Sequence, residues 1–219
     1  VSLSADLYHT FGKVQTNLLV EGFYTILDDV FALRDMDDAA DGGKVKERYN
    51  GSGATVRGFN VEGRAAFTRW FELQAGVTLQ QSRYKEPEFW SEDAEVPPVR
   101  RMFRTPDTYG YFTASFKPVR NFTADLSGTC TGSMLVQHMA GSGVAQDVAV
   151  STPSFFDMNI RLSYDVRIYK EITMQLYGGV QNLFNAYQKD FDKGVDRDSG
   201  YIYGPSLPRS WFVGAKFSF

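Results

Sequence analysis

One stretch of the sequence decides the fold: Phe122-Thr-Ala-Asp-Leu-Ser-Gly-Thr-Cys-Thr-Gly-Ser-Met134. Apolar or small residues occupy every second position from Phe122 onward, and the positions between them carry Thr, Asp or Ser. Successive side chains of a β-strand point to opposite faces of the sheet, so a period of two is typical of a strand. We therefore predict a strand here with one apolar face and one polar face.

The same period of two recurs along the chain. Residues 156–166 place apolar side chains such as Phe156 and Leu162 against polar ones such as Asp157 and Arg161. No window of comparable length shows a convincing helical stripe. The sequence predicts an all-β chain of nine strands, at residues 1–9, 14–33, 59–68, 73–82, 112–117, 122–134, 156–166, 172–181 and 211–219.

Composition excludes several classes of protein. The formal net charge of −3 gives no basic surface of the kind that nucleic acid requires, so we expect no nucleic-acid partner. The single cysteine, Cys130, cannot form an internal disulfide, and no Cys/His spacing resembles a zinc site. No Ser/His/Asp arrangement, paired-carboxylate motif or phosphate-binding loop stands out, which predicts that the protein is not an enzyme.

The connections between the predicted strands alternate in length. Tight turns are predicted at residues 10–13, 69–70, 117–121 and 169–171, and long polar or Gly-rich loops at residues 34–53, 86–106, 139–152 and 185–204. In an antiparallel meander, this alternation places all the tight turns at one end and all the long loops at the other. Bacterial outer-membrane β-barrels have short periplasmic turns and longer extracellular loops. We therefore predict a transmembrane antiparallel β-barrel.

Two further features bear on this prediction. Large aromatic residues such as Trp70, Tyr84 and Tyr109 cluster near strand ends, as the aromatic girdles of a membrane barrel require, whereas a soluble β-sandwich would concentrate them at strand centres. Nine is an odd number, and single-chain bacterial barrels have an even number of strands. The chain also begins inside a predicted strand, without the features of a signal peptide. We expect it to be the C-terminal portion of a larger barrel.

Particular motifs resemble one known family. The run Gly179-Val-Gln-Asn-Leu-Phe-Asn-Ala-Tyr187, followed by Gly204-Pro-Ser-Leu-Pro-Arg209 and a last strand ending in Phe219, resembles the end of TonB-dependent receptors, particularly those of Bacteroidota. Residues 23–31 and the segments Arg104-Thr-Pro-Asp107 and Tyr109-Gly-Tyr111 resemble recurrent elements of the same family. The resemblance spans essentially the whole chain.

The resemblance implies a barrel of 22 strands with a plug domain folded inside, in which residues 1–219 form the last nine strands. Such receptors lie in the bacterial outer membrane and import a scarce nutrient complex with energy relayed by TonB through the plug. A ferric siderophore or other iron complex is the expected cargo, with cobalamin or haem as alternatives. Expected partners are the plug and the remaining strands, TonB, the outer-membrane assembly machinery, and lipid or lipopolysaccharide. A passive porin, an outer-membrane enzyme on a smaller barrel, and a secreted β-sandwich adhesin or carbohydrate-binding module remain alternatives.

Several residues are candidates for a ligand site at the loop end. Arg100, Arg101 and Arg104 could present guanidinium groups to an anionic chelate, although solvated loop charge is an alternative interpretation. Met134, His138 and Met139 resemble a soft-metal or haem contact in residue type, but one histidine does not make a site. The predicted ligand-binding set is Trp90, Arg100, Arg101, Arg104, His138, Met139, Tyr201 and Tyr203.

Other residues are assigned to the inside of the barrel, to assembly and to calcium. The lumenal face is predicted to touch the plug or trapped water, and an aromatic C-terminus, Phe219, resembles the signal that the assembly machinery recognises. Two acidic stretches, 35–41 and 190–198, offer oxygen ligands that Ca²⁺ could use, although neither fits the EF-hand pattern, and no other cofactor is predicted. The predicted lumenal residues are Asp6, Glu21, Glu62, Arg64, Lys117, Asp125, Asp157, Arg161, Asp165 and Lys216.

Overall fold

The computed structural model describes residues 1–35 and 46–219. Within those residues it contains fourteen β-strands, and no helix there is long and apolar enough to cross a membrane. The strands are β1 (Ser2–Phe11), β2 (Val14–Leu27), β3 (Phe31–Asp35), β4 (Lys46–Asn50), β5 (Ala54–Thr68), β6 (Phe71–Glu88), β7 (Val99–Arg101), β8 (Thr108–Val119), β9 (Phe122–Thr131), β10 (Leu135–His138), β11 (Val148–Ser151), β12 (Phe155–Tyr169), β13 (Ile172–Gln181) and β14 (Ser210–Ser218).

One large antiparallel sheet holds most of the chain. Its nine principal strands follow the order β1-β2-β5-β6-β8-β9-β12-β13-β14, and the short β7 pairs with β6 at the side. Apart from the loop hairpins, every strand therefore pairs with its neighbour in sequence, which is the predicted meander of nine strands. The predicted all-β, antiparallel fold is confirmed. Strands β1 and β14 each have one neighbour, and over the described residues they are not paired with each other.

The register gives the sheet two different faces. Adjacent rows of directly paired residues run across β2, β5, β6, β8, β9 and β12. One row is wholly polar, and the next row along the strands is wholly apolar or small. The polar row is Asn17, Arg64, Gln74, Thr113, Ser127 and Asn159, and the apolar row is Leu18, Gly63, Ala75, Phe112, Gly128 and Met158.

The apolar face has no second layer over it. Phe59 and Leu79 lie on this face and are 63% and 53% exposed, and no second large sheet is present among the described residues. A β-sandwich requires two sheets packed face to face with their apolar sides together. The β-sandwich alternative is therefore wrong, and the exposed apolar face fits the lipid-facing side of a barrel.

The two ends of the sheet differ as predicted. Tight turns connect β1 to β2, β5 to β6, β8 to β9 and β12 to β13, and they all lie at one end. Aromatic rings cluster at this end, where Trp70 packs edge-on against Phe116 with 5.3 Å between ring centroids, and Phe67 stacks on Phe71 at 5.4 Å.

The long connections lie at the opposite end, and two strand predictions were wrong there. The strand predicted at residues 14–33 is interrupted because Asp29 adopts a left-handed φ of 53°, so β2 and β3 belong to different sheets. The strand predicted at residues 122–134 leaves the sheet after Thr131, and β10 pairs with β11 instead. Three loops thus contain strands, namely the β3–β4 hairpin, β7, and the β10–β11 hairpin.

Candidate functional site at the loop end of the sheet

The chain's small hydrophobic core lies among the long loops. The core joins the β10–β11 hairpin, the start of β12 and the connection between β13 and β14. Its buried members come from all three segments: Val136, Phe155, Tyr201 and Tyr203. The three segments therefore form one packed unit, which we call the loop cap (residues 133–155 and 182–209).

Asn182, in the motif that resembles TonB-dependent receptors, organises the longest part of the loop cap. Its side chain is 2% exposed, and its backbone takes a left-handed φ of 49°, which Asn adopts more readily than most residues. The side-chain amide donates to the carbonyl oxygens of Ala186 and Leu207 at 2.9 and 2.8 Å, and its oxygen accepts from the Ala186 N–H at 2.8 Å. Asn182 thus joins both ends of the β13–β14 connection.

His138 joins the β10–β11 hairpin to the same connection. Its Nε2 lies 2.9 Å from Oδ1 of Asp192, and both side chains are buried. The imidazole stacks on the Tyr201 ring with 3.7 Å between centroids and 4° between planes. Asp192 also accepts a hydrogen bond from the Asp198 N–H, and these bonds hold the pKa of Asp192 below its ordinary value. The His138 ring is therefore packed on both an acidic and an aromatic partner.

Asp190 accepts hydrogen bonds from two tyrosines. The hydroxyl groups of Tyr201 and Tyr203 donate to its carboxylate at 2.7 and 2.5 Å. Burial opposes ionisation of Asp190, but these bonds outweigh it and hold its pKa below the ordinary value. Burial and the bond to Asp190 raise the pKa of Tyr203 to about 12, and the same causes raise the pKa of Tyr201. The predicted ligand residues Tyr201 and Tyr203 thus use their hydroxyl groups inside the loop cap.

The three predicted arginines also have partners within the protein. Arg104 donates to the carbonyl oxygens of Ile202 and Gly200 at 2.8 and 2.5 Å, from a backbone with a left-handed φ of 55°. Arg101 lies 3.0 Å from Asp107 and donates to the Ser133 carbonyl. Arg100 donates to the Lys85 carbonyl and lies 3.6 Å from Glu86. These contacts link the β6–β8 connection to the loop cap and leave anion binding by the arginines as a prediction.

Trp90 lines a pocket at the other side of the β6–β8 connection. Its ring packs edge-on against Phe103 at 5.3 Å, and its indole N–H donates to the Pro97 carbonyl at 3.3 Å. The pocket has a volume of about 280 Å³, and we call it the aromatic pocket. It is lined by Val30, Phe31, Gly51, Ser52, Gly53, Tyr84, Glu88, Phe89, Trp90, Phe103 and Gln137.

The remaining loop predictions have mixed outcomes. Met139 is exposed, and its N–H donates to Asp198 at 2.8 Å. Residues 36–41 of the first acidic stretch lie outside the described residues. In the second stretch the carboxylates accept hydrogen bonds from nearby N–H and O–H groups, and the described residues contain no cluster of three or more His, Cys, Asp or Glu suited to a metal ion. Calcium binding stays a prediction.

The predicted lumenal residues lie along the polar face in cross-strand networks. Gln74 donates to Glu62 at 2.7 Å, Arg64 pairs with Glu72 at 2.5 Å, and Ser115 donates to Asp125. Arg161 lies over the Tyr177 ring, 4.7 Å from its centroid, and Asp165 accepts a hydrogen bond from Gln175. Asp157 has a buried Oδ1 without a partner among the described residues. Lys117 lies at the tight-turn end. Toward the chain ends, Asp6 bonds to Asn17, Glu21 accepts from Asn60, and Lys216 pairs in register with Gln175.

Sequence reasoning missed several residues of the loop end. Asn182 and Gln188 are buried polar side chains whose partners lie elsewhere in the β13–β14 connection, and Gln188 both donates to the Tyr201 carbonyl and accepts from the Tyr203 N–H. Glu88 and Gln137 face the aromatic pocket from segments far apart in the chain. The four large rings in residues 84–103 were a usable signal for the pocket, because apolar groups concentrated at one exposed place often mark a binding site.

Comparisons with known proteins place this fold. No family profile and no curated sequence matches the chain. Among solved structures, the ferric-catecholate import receptor Fiu of Escherichia coli K12 is similar with a TM-score of 0.63, 18% identity, and coverage of 98% of this chain and 27% of that chain. The copper transporter OprC is similar with a TM-score of 0.62 and 14% identity, and the match covers 100% of this chain and 31% of that chain. The ferric enterobactin receptor PfeA of Pseudomonas aeruginosa is similar with a TM-score of 0.60 and 14% identity, and the match covers 98% of this chain and 30% of that chain.

The chain spans about three tenths of the length of these structures. At 14–18% identity the likeness establishes the fold. It agrees with the two-faced sheet, the exposed apolar side and the separation of tight turns from long loops. The chain therefore has the fold of a segment of an outer-membrane β-barrel.

Proposed function

We propose that residues 1–219 are the C-terminal portion of a TonB-dependent receptor in the bacterial outer membrane. The observation that carries the proposal is the meander of nine strands with a polar face, an exposed apolar face and a packed loop cap at one end. In the complete receptor the apolar face contacts lipid and lipopolysaccharide. The two edge strands pair with the remaining strands of the barrel, because unpaired backbone groups in lipid cost several kcal/mol each.

The polar face supports the assignment of a plug inside the barrel. Its networks satisfy most of their own hydrogen bonds, but Asp157 presents a buried carboxylate oxygen without a partner among the described residues. We propose that a water trapped beside the polar face supplies that partner, while the exposed polar side chains of this face contact the plug. TonB acts through the plug, so no residue of this chain is assigned to energy coupling. Phe219, which is 93% exposed, is proposed as the assembly signal.

The proposed cargo is an iron chelate, most specifically a ferric siderophore. The similar structures include a ferric-catecholate import receptor and a ferric enterobactin receptor, which favours iron, and a copper transporter, which keeps other metal complexes open. Cobalamin and haem are the alternatives within the same family. Binding and gated passage, rather than covalent chemistry, are the proposed activities.

The test uses the full-length protein that contains this chain, expressed in a strain that lacks its own siderophore receptors. Membrane fractionation with a heat-modifiability gel first establishes a folded barrel, which resists SDS until it is boiled. Uptake of radioactive ferric siderophore is then compared in strains with and without TonB. We expect uptake that requires both the receptor and TonB. Uptake that continues at the same rate without TonB would support a passive porin and refute the proposal.

A further inference from the structure

The aromatic pocket has an unusual balance of groups for a site expected to take anions. Five of its lining side chains are aromatic, and Glu88 is the one charged residue lining it among the described residues. Phe31 and Phe89 are 73% and 72% exposed, so a large part of each side chain is accessible to a ligand. Aromatic rings carry a negative quadrupole on their faces, so both the rings and the carboxylate attract positive charge.

Glu88 is not neutralised by a cation within the part of the chain that the structure describes. Its recorded hydrogen bond comes from the Tyr49 hydroxyl at 3.4 Å, which is long for an O–H···O bond. The Arg48 guanidinium lies over the Phe31 ring, 5.9 Å from its centroid, and Arg48 does not line the pocket. The pocket therefore keeps a carboxylate whose charge is available to a ligand.

The arginines that would favour an anion do not line this pocket. Arg100 and Arg101 each lie next to a carboxylate, and Arg104 is used on two backbone carbonyls of the loop cap. An anionic group entering the aromatic pocket would meet Glu88 and, among the described residues, no lining cation, because Arg48 lies over the Phe31 ring from outside the lining. The electrostatics of the pocket favour the opposite sign.

We propose that the aromatic pocket binds the cationic group of an organic ligand, a primary or quaternary ammonium. The ring faces surround the cation and Glu88 balances its charge, while Gln137 and Ser52 supply polar edges. A volume of about 280 Å³ is at the small end for ligand pockets, so it suits one head group rather than a whole cargo. The inference rests on the proposed function only because that function places the pocket on the extracellular side. The inference adds that the captured ligand carries a cationic group.

Ligand-observed NMR on the full-length receptor in maltoside micelles tests the proposal. The probes are choline, its uncharged isostere 3,3-dimethylbutan-1-ol, and the anion 2,3-dihydroxybenzoate. We expect choline to bind, the isostere to bind at least about tenfold more weakly, and the anion not to displace choline. Equal binding of choline and the isostere, or displacement of choline by the anion, overturns the proposal.

Matched variants locate the binding. Glu88→Gln removes the charge and should weaken choline binding by about fivefold or more while leaving the isostere unchanged. Glu86→Gln is the control, because Glu86 is an exposed carboxylate two residues away that does not line the pocket. Phe31→Leu removes an open ring that is 73% exposed and should weaken choline without unfolding the protein. Unchanged choline affinity in both Glu88→Gln and Phe31→Leu refutes the inference.

The binding assay and the uptake assay fail independently. Probe binding is measured on isolated protein and needs neither TonB nor transport. Choline binding with uptake that ignores TonB refutes the proposed function alone, whereas TonB-dependent uptake without charge-selective binding refutes the pocket inference alone.

Discussion

Asn182 offers the sharpest test of how the loop cap is held. Its side chain makes three hydrogen bonds to the backbone of Ala186 and Leu207, and its own backbone is left-handed. Replacement by Ala removes all three bonds and puts a residue with a Cβ and no compensating side-chain bond into a left-handed conformation. The perturbation is local because Asn182 contacts the loop cap at the end of β13 rather than the centre of the sheet.

The expected cost follows from these contacts. Each buried hydrogen bond contributes about 1 kcal/mol, and a left-handed backbone costs an ordinary residue about 1 kcal/mol more than it costs Asn. Asn182→Ala should therefore reduce the free energy of local opening of the loop cap by about 4 kcal/mol. Since 1.4 kcal/mol is a factor of ten in an equilibrium constant, the open state becomes roughly a thousandfold more populated.

Hydrogen exchange measured by mass spectrometry on the full-length receptor in micelles reports this opening. The informative amides are those of Tyr203 and Arg209, which donate to Gln188 and Asn185 and do not contact Asn182 directly. We expect their exchange to accelerate by up to about three orders of magnitude, limited by the intrinsic rate. Asn182→Gly, which tolerates the left-handed backbone, should cost about 1 kcal/mol less. Exchange within threefold of the wild type at both amides would show that Asn182 does not hold the loop cap.

Two further predictions concern the sheet and the tyrosines. Gly128→Val should lower the heat-modifiable fraction of the receptor, because a Cβ at this position overlaps the Phe112 ring at a cost of about 1–3 kcal/mol. Gly63→Ala is the control. A Cβ at residue 63, in the same row, meets nothing within 4 Å, so the heat-modifiable fraction should not change. In an alkaline titration followed by tyrosinate absorbance, Tyr203 should ionise near pH 12 instead of about 10. Its contribution to stability is therefore complete below pH 10 and is lost as the pH rises from 10 through 12. Tyr203→Phe should remove this late step of the titration, and a late step that persists in the variant would belong to another tyrosine.

The sheet was predictable because its information is local. A period of two in residues 122–134 and 156–166 indicates which side chains lie on the same face of the sheet. The alternation of short and long connections indicates which strands are neighbours. Pairing then follows with little freedom, since a slip of one residue would move every apolar side chain to the polar face. The separation of the Arg64 row from the Gly63 row is the direct result.

The loop end was less predictable because its information is not local. The residue types of Tyr201, Tyr203 and Arg104 suggested a ligand site, but a sequence does not show that Asp190 accepts from both tyrosines or that Arg104 reaches carbonyls 96 and 98 residues away. The hairpin of β10 and β11 was missed for a similar reason. Its strands have four residues each, too few for a clear periodicity.

These cross-loop contacts determine how the loop end can respond to a ligand. Arg104 ties the β6–β8 connection to the β13–β14 connection, Ser91 donates to Asp147 at 2.7 Å, and His138 bonds to Asp192, so three connections are linked to one another. The β2–β5 connection is joined to β6 instead. Its contacts there include the ion pair of Lys85 with Asp28, the bond from the Lys85 N–H to the Gly53 carbonyl at 3.1 Å, and the long Tyr49–Glu88 bond.

The aromatic pocket lies on that boundary, because Phe31 comes from the β2–β5 connection whereas Trp90 and Gln137 belong to the linked connections. A ligand that contacts both the β2–β5 connection and the linked connections stabilises the relative position of the two that it fits best. A ligand shifts a conformational equilibrium only when it binds one conformation more tightly than the other. A cation held between Phe31 and Glu88 would therefore stabilise the β3–β4 hairpin against the linked loops. The amides of β4 should accordingly exchange more slowly with choline present in the wild type, and Glu88→Gln should reduce that protection at the same choline concentration.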